Sequence, residues 1–137
     1  MASEKEFVQQ RFQIVTEQLD DPNAQIERVD RIQLQRERRL LGKLLAEVPE
    51  GKVLQTVKQW RQYLGESLLE HKQNRRKQKI NYHAWKRKQK KGDPKPDFIS
   101  VGAEVTDKSG YTWVIDDRYL AMMDDLQIRL ERWLNSR

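Results

Sequence analysis

The sequence predicts a mainly α protein: a helical bundle with one long basic helix, joined by a small β-hairpin and a C-terminal amphipathic helix. Three observations predict this. Apolar residues recur at steps of three and four in several stretches, the period of helices buried on one side. Between residues 101 and 115 the period drops to two, on either side of the turn signal Asp107-Lys108-Ser109-Gly110. The breakers Asp20-Asp21-Pro22-Asn23, Pro49-Glu50-Gly51 and Gly92-Asp93-Pro94 separate these stretches.

The first helix is expected over about residues 4–19. Val8, Phe12, Val15 and Leu19 form its stripe, with Phe7 and Ile14 beside it. Ser3 followed by Glu6 has the spacing of a capping box. A second helix is expected over 24–47. Ile26, Val29 and Ile32 open its apolar face, and Leu34, Leu41, Leu45 and Val48 continue it, flanked by Leu40 and Leu44. Residues 33–39 are almost all polar, so a bend or partial exposure is expected there. The third helix starts near Lys52, where Val53, Val57, Trp60, Leu64 and Leu68 step by four, three, four and four. Its apolar pattern stops at Leu69, but no breaker follows until Gly92, so the helix is expected to run on through the polar residues beyond. Val101, Ala103 and Val105, then Tyr111, Trp113 and Ile115, alternate as the two arms of a hairpin. A lone hairpin is marginal, so it is expected to pack on the bundle. Asp116 or Asp117 caps a last helix over 117–135, with the stripe Tyr119, Met123, Leu126, Leu130 and Trp133.

The chain of 137 residues suits a single domain overall. Its expected parts are a bundle portion at 1–70, a basic helical extension at 71–92, a linker at 93–98, and the hairpin with the last helix at 99–137. There is no Cys, which excludes disulfides and thiolate metal sites. Residues 1–15 contain Glu4 and Glu6 and no apolar run, unlike a secretory signal. No stretch approaches the roughly 18 apolar residues that span a bilayer. A cytoplasmic protein without membrane association is expected.

The distribution of charge is more informative than its total. The formal net charge is +6, from 27 basic and 21 acidic residues. Residues 71–92 hold ten of those cations and no acid: Lys72, Arg75, Arg76, Lys77, Lys79, Lys86, Arg87, Lys88, Lys90 and Lys91. The remainder carries 17 basic and 21 acidic residues, a net −4. A mildly acidic body with one basic element is the footprint of a polyanion binder. On a helix, Lys72, Arg76, Lys79, His83, Lys86 and Lys90 share one stripe. Tyr82 and Trp85 sit within the run, and aromatic rings among cations stack on unpaired bases. Trp85, followed by Lys86, Arg87 and Lys88, is expected to be exposed and to touch a partner. Trp60 and Trp133 belong to apolar stripes, and Trp113 to the hairpin.

The expected function is therefore that of a non-catalytic nucleic-acid-binding accessory subunit, working beside other protein subunits and gripping RNA or DNA backbone with low sequence specificity. The alternative is an assembly or scaffolding factor that binds an acidic protein complex through the same strip. A smaller cluster, Arg36, Arg38 and Arg39 around Glu37, reads as a charged helix face that could extend the basic surface. His71 and His83 are about three turns apart and cannot share a metal ion. Glu66 and Glu70 lack the second helical copy that a bundle metal site needs, and read as a solvated acidic patch. Asp116, Asp117, Asp124 and Asp125 are the one carboxylate group that a metal-dependent nuclease could use. The first pair equally suits a helix N-terminus. With no Gly-rich phosphate loop, no Gly-x-Ser-x-Gly and no Cys nucleophile, neither catalysis nor a cofactor is expected.

Overall fold

The computed structural model describes residues 3–88 and 103–136, with backbone alone over 75–88. It contains α1 (Glu4–Asp20), α2 (Arg28–Glu47), α3 (Val53–Lys88), β1 (Ala103–Thr106), β2 (Thr112–Ile115) and α4 (Asp117–Asn135). This is the mainly α architecture with a minor hairpin that the periodicities predict. Among the described residues no helix is long and apolar enough to cross a membrane. The chain divides into two compact units, residues 3–62 with 117–136, and residues 63–116.

The first unit is helical. Its core is built from Val8, Val15 and Leu19 of α1, Leu40, Leu41 and Leu44 of α2, Val53 and Val57 of α3, and Leu120, Met123, Leu126 and Leu130 of α4. Helices α1 and α2 run antiparallel. Lys5 Nζ donates to the Leu45 carbonyl at one end, Arg11 and Glu37 pair through two hydrogen bonds of 2.8 and 3.0 Å, and Arg31 reaches the Leu19 carbonyl at the other end. The Glu37 hydrogen bond raises the pKa of Arg11, outweighing its partial burial.

The α1 and α3 N-termini are capped by each other's carboxylates. Glu50, in the turn before α3, accepts the Ser3 hydroxyl and the Glu4 and Lys5 N–H groups at 2.7–3.0 Å. Glu4, the first residue of α1, accepts the Leu54 N–H at 2.8 Å. Both carboxylates thus satisfy otherwise orphaned donors at the positive ends of helices. Desolvation pushes the Glu50 carboxyl up, but the hydrogen bonds from Ser3, Lys5, Glu4 and Gly51 outweigh it and hold the group below its ordinary range. The Ser3 oxygen also accepts the Glu6 N–H at 3.2 Å, as the capping-box spacing predicts, but the carboxylate that answers Ser3 is Glu50.

Helix α2 departs from expectation at its start. It begins at Arg28, four residues later than its apolar pattern implies. Asp21 accepts the Asn23 N–H and the Ala24 N–H returns to the Asp21 carbonyl, so a local turn takes these donors. The polar middle is helical throughout and partly exposed. Its side chains reach sideways, Glu37 to Arg11 and Gln33 to the Arg118 carbonyl of α4. Val29 and Ile32 are 50% and 44% exposed rather than core. At 100° per residue they lie about 120° around the helix from Leu41 and Leu44, twelve residues on, which are fully buried.

The second unit contains the remainder of α3 and the hairpin. Leu64 and Leu68 are buried on α3, and Ala103, Trp113 and Ile115 on the strands. The strands pair antiparallel with Ala103 opposite Ile115 and Thr106 opposite Thr112. Gly110, at φ +89°, supplies the left-handed residue of the turn. Asp107 organises that turn: one carboxylate oxygen accepts the Ser109 hydroxyl and the Ser109 and Tyr111 N–H groups, and the other accepts the Trp113 indole N–H at 3.0 Å.

The Ser109 hydroxyl and the Trp113 indole, helped by the Tyr111 and Ser109 N–H groups, lower the Asp107 pKa from 3.8 to about 2, outweighing the opposing cost of desolvation. A carboxyl lowered by folding stabilises the fold fully above its ordinary pKa and loses that contribution as pH falls through the lowered one. The hairpin is therefore expected to hold at pH 4 and to loosen toward pH 2. An NMR titration of the Trp113 indole proton should give a midpoint at about 2. A midpoint at the ordinary aspartate value of about 4 would remove Asp107 from this role.

Candidate nucleic-acid interface

Helix α3 carries residues 71–88 of the basic segment. Its first half is fixed by burial of Val53, Val57, Leu64 and Leu68 at helical spacing. Leu69 is 58% exposed and marks the end of the apolar stripe. The backbone does not break there: α3 is one helix of 36 residues through Lys88, roughly 54 Å long at 1.5 Å per residue. Long polar side chains are good helix formers, and no Gly or Pro interrupts the sequence after Gly65 until Gly92.

This backbone places the sequence positions of the predicted site in a defined order. Positions 72, 76, 79, 83 and 86 fall within about 80° of one another around the axis. Positions 75, 77, 87 and 88 are distributed around the rest of the helix. Residues 71–88 span roughly 27 Å, the length of about eight base pairs, and their sequence holds eight cations and no acid. Lys72 is exposed. Arg75, Arg76, Lys77, Lys79, Tyr82, His83, Trp85, Lys86, Arg87 and Lys88 all lie on the α3 backbone. Lys90 and Lys91, and the linker at 93–98, lie outside the described residues.

Other groups singled out by sequence have defined surroundings. Asp124 takes a bidentate ion pair from Arg61, at 2.8 and 3.3 Å, and Asp125 pairs with Arg129 at 2.9 Å. These carboxylates stitch α3 to α4 and brace α4 itself. Among the described residues no group of three or more His, Asp or Glu side chains could hold a metal ion. Glu66 and Glu70 are exposed and His71 is half-buried. Trp113 is buried, whereas Trp60 and Trp133 are half-buried. Lys43 Nζ lies 5.5 Å from the Trp60 ring centre, and Trp133 donates its indole N–H to the Ser3 carbonyl at 3.1 Å.

The Arg36 cluster has a setting that its sequence does not reveal. An open cleft of about 560 Å³ is lined by Phe12, Ile32, Gln35, Arg36, Arg38 and Arg39. Arg36 lies over the Tyr119 ring at 4.8 Å and Arg38 pairs with Asp20 at 3.8 Å. Arg39 is exposed. The cationic rim is legible as a charge cluster, but its apolar floor is not. Phe12 comes from another helix, and Ile32 reads as core until the helical phase is followed back from Leu44.

Comparison with protein-family models, curated proteins and solved structures returns no match.

Proposed function

We propose that this protein is a non-catalytic nucleic-acid-binding subunit of a larger nucleoprotein assembly, gripping RNA or DNA backbone through residues 71–92 with low sequence specificity. One observation carries the proposal: ten cations with no intervening acid, starting on a helix whose backbone runs unbroken from its buried apolar half into the basic half. Each Lys or Arg placed near a phosphate releases condensed counterions, so an uninterrupted run gives affinity without base reading. An ordinary solvated helix face mixes signs, and the rest of this chain does so. Tyr82 and Trp85 within the run favour unpaired bases, on which aromatic rings stack. The same reading gives the protein a cytoplasmic setting.

The purified full-length protein is expected to carry nucleic acid, seen as an ultraviolet absorbance shifted toward the nucleic-acid maximum. RNase or DNase digestion should remove that component and identify its type. Protein free of nucleic acid that also fails to retain added RNA or DNA would overturn the proposal and leave an acidic protein as the partner of the strip.

A further inference from the structure

The arginine cluster of α2 surrounds an aromatic ring. Positions 32, 35, 36 and 39 lie within about 100° around the α2 axis. Phe12 comes from α1 and turns one ring edge toward Gly42, with Cε2 at 3.5 Å from where a β-carbon would stand. Gly42 is one turn beyond Arg38 and Arg39, which brings the ring to the level of both arginines. The result is the cleft of about 560 Å³, with Phe12 and Ile32 as its apolar lining and Gln35 and three arginines around them. Phe12 is half-buried and Ile32 exposed, so the apolar lining is open to solvent. The positive charge is not cancelled locally, because none of the described lining residues is acidic. Glu37, the acid within the cluster, is committed to Arg11 through two hydrogen bonds. Arg36 lies over Tyr119. Arg38 meets Asp20 only at 3.8 Å, between exposed side chains, a pairing that contributes little. Arg39 makes no hydrogen bond or ion pair among the described residues. Arg38 and Arg39 are therefore open to an incoming anion.

We infer that this cleft is a second nucleic-acid contact, which seats one nucleotide of a single strand with its phosphate on Arg38 and Arg39 and its base against Phe12. The inference rests on the nucleic-acid reading of residues 71–92 and deepens it. A guanidinium fork pairs two oxygens of a phosphate at once, which a lysine does not. The Phe12 ring offers a base a stacking face, and the Gln35 amide offers its edge both a donor and an acceptor. The volume lies within the roughly 300–1,000 Å³ of small-ligand sites, the scale of one nucleotide rather than a duplex. Bases in a duplex are already stacked, so only an unpaired strand can present one to the ring. The carboxylates of an acidic protein would be served by the arginines alone, without an aromatic ring between them, which favours nucleic acid as the occupant.

The experiment uses the nuclease-treated full chain and fluorescence anisotropy with a labelled oligothymidylate and a duplex of equal length. The wild type is expected to bind the single strand. Arg39→Ala should weaken that binding about fivefold at ~0.1 M salt and reduce the slope of log K against log salt by about 0.7, the share of one phosphate. Phe12→Leu keeps the lining apolar but removes the stacking face. It should weaken single-strand binding about fivefold without changing the slope, and leave duplex binding as it was. Ultraviolet crosslinking should place a thymidine adduct on Phe12, located by mass spectrometry. Circular dichroism checks that each variant is folded. Single-strand binding that survives both substitutions, yet is lost when Lys86, Arg87 and Lys88 are replaced by Glu, would overturn this inference and leave residues 71–92 as the interface. Loss with Arg39→Ala but not with Phe12→Leu, and no adduct on Phe12, would overturn it by reducing the cleft to a charged patch. A wild type that binds labelled oligoglutamate through Arg39 in place of the oligonucleotide would reassign the cleft to an acidic protein. A wild type that binds no nucleic acid would overturn this inference together with the reading of residues 71–92.

Discussion

Replacing Lys86, Arg87 and Lys88 together by Glu is expected to abolish most nucleic-acid binding while leaving the fold intact. The change takes the formal net charge from +6 to zero, and all of it falls in the acid-free segment. Each phosphate contact contributes about a factor of ten at ~0.1 M salt relative to 1 M, so losing three contacts should weaken binding by roughly a thousandfold. The new carboxylates add repulsion to that loss. The slope of log K against log salt should fall in magnitude by about 2.7 on duplex DNA. An equal loss of charge elsewhere, Lys52→Glu with Lys108→Glu and Arg118→Glu, separates local from global effects, because all three are exposed outside the segment. Binding measured by fluorescence anisotropy should fall for the first variant far more than for the second. Equal losses would mean that net charge alone governs binding.

The second large effect concerns the core that anchors α3. Leu41 is fully buried on α2, so Leu41→Ala removes transfer energy and leaves a cavity, at a cost of about 3 kcal/mol. Val29→Ala, on the face that the periodicity misassigns, should stay within about 0.5 kcal/mol in the monomer. Thermal unfolding followed by circular dichroism should lower the midpoint by on the order of 10 °C for the first and leave it nearly unchanged for the second. Comparable shifts would contradict the assignment of α2's buried face.

Most of the fold is legible in the sequence because burial imposes a period on it. Leu120, Met123, Leu126 and Leu130 are spaced for a helix and are buried as one. Trp113 and Ile115 alternate with Thr112 and Val114, and are buried where those are exposed. Local pattern fails where a contact is long-range. Nothing adjacent to Glu50 signals that it caps a helix 46 residues earlier, or that Glu4 returns the cap to α3. Val29 and Ile32 look like the start of the α2 core because a short window cannot show that the true stripe, set by Leu41 and Leu44, has rotated away. The basic segment was fully legible as charge, since no fold is needed to count cations without acids. Its carrier was legible only as an absence of breakers between Leu69 and Gly92, and α3 fills that interval with helix through Lys88.

The central claim is that residues 71–92 hold a polyanion by phosphate neutralisation. A salt titration of wild-type binding to a single-stranded oligonucleotide tests it most directly. Log K should fall linearly with log salt, by about 0.7 for every phosphate neutralised, giving a slope of several for a run of ten cations. Binding that does not change with salt would contradict the claim.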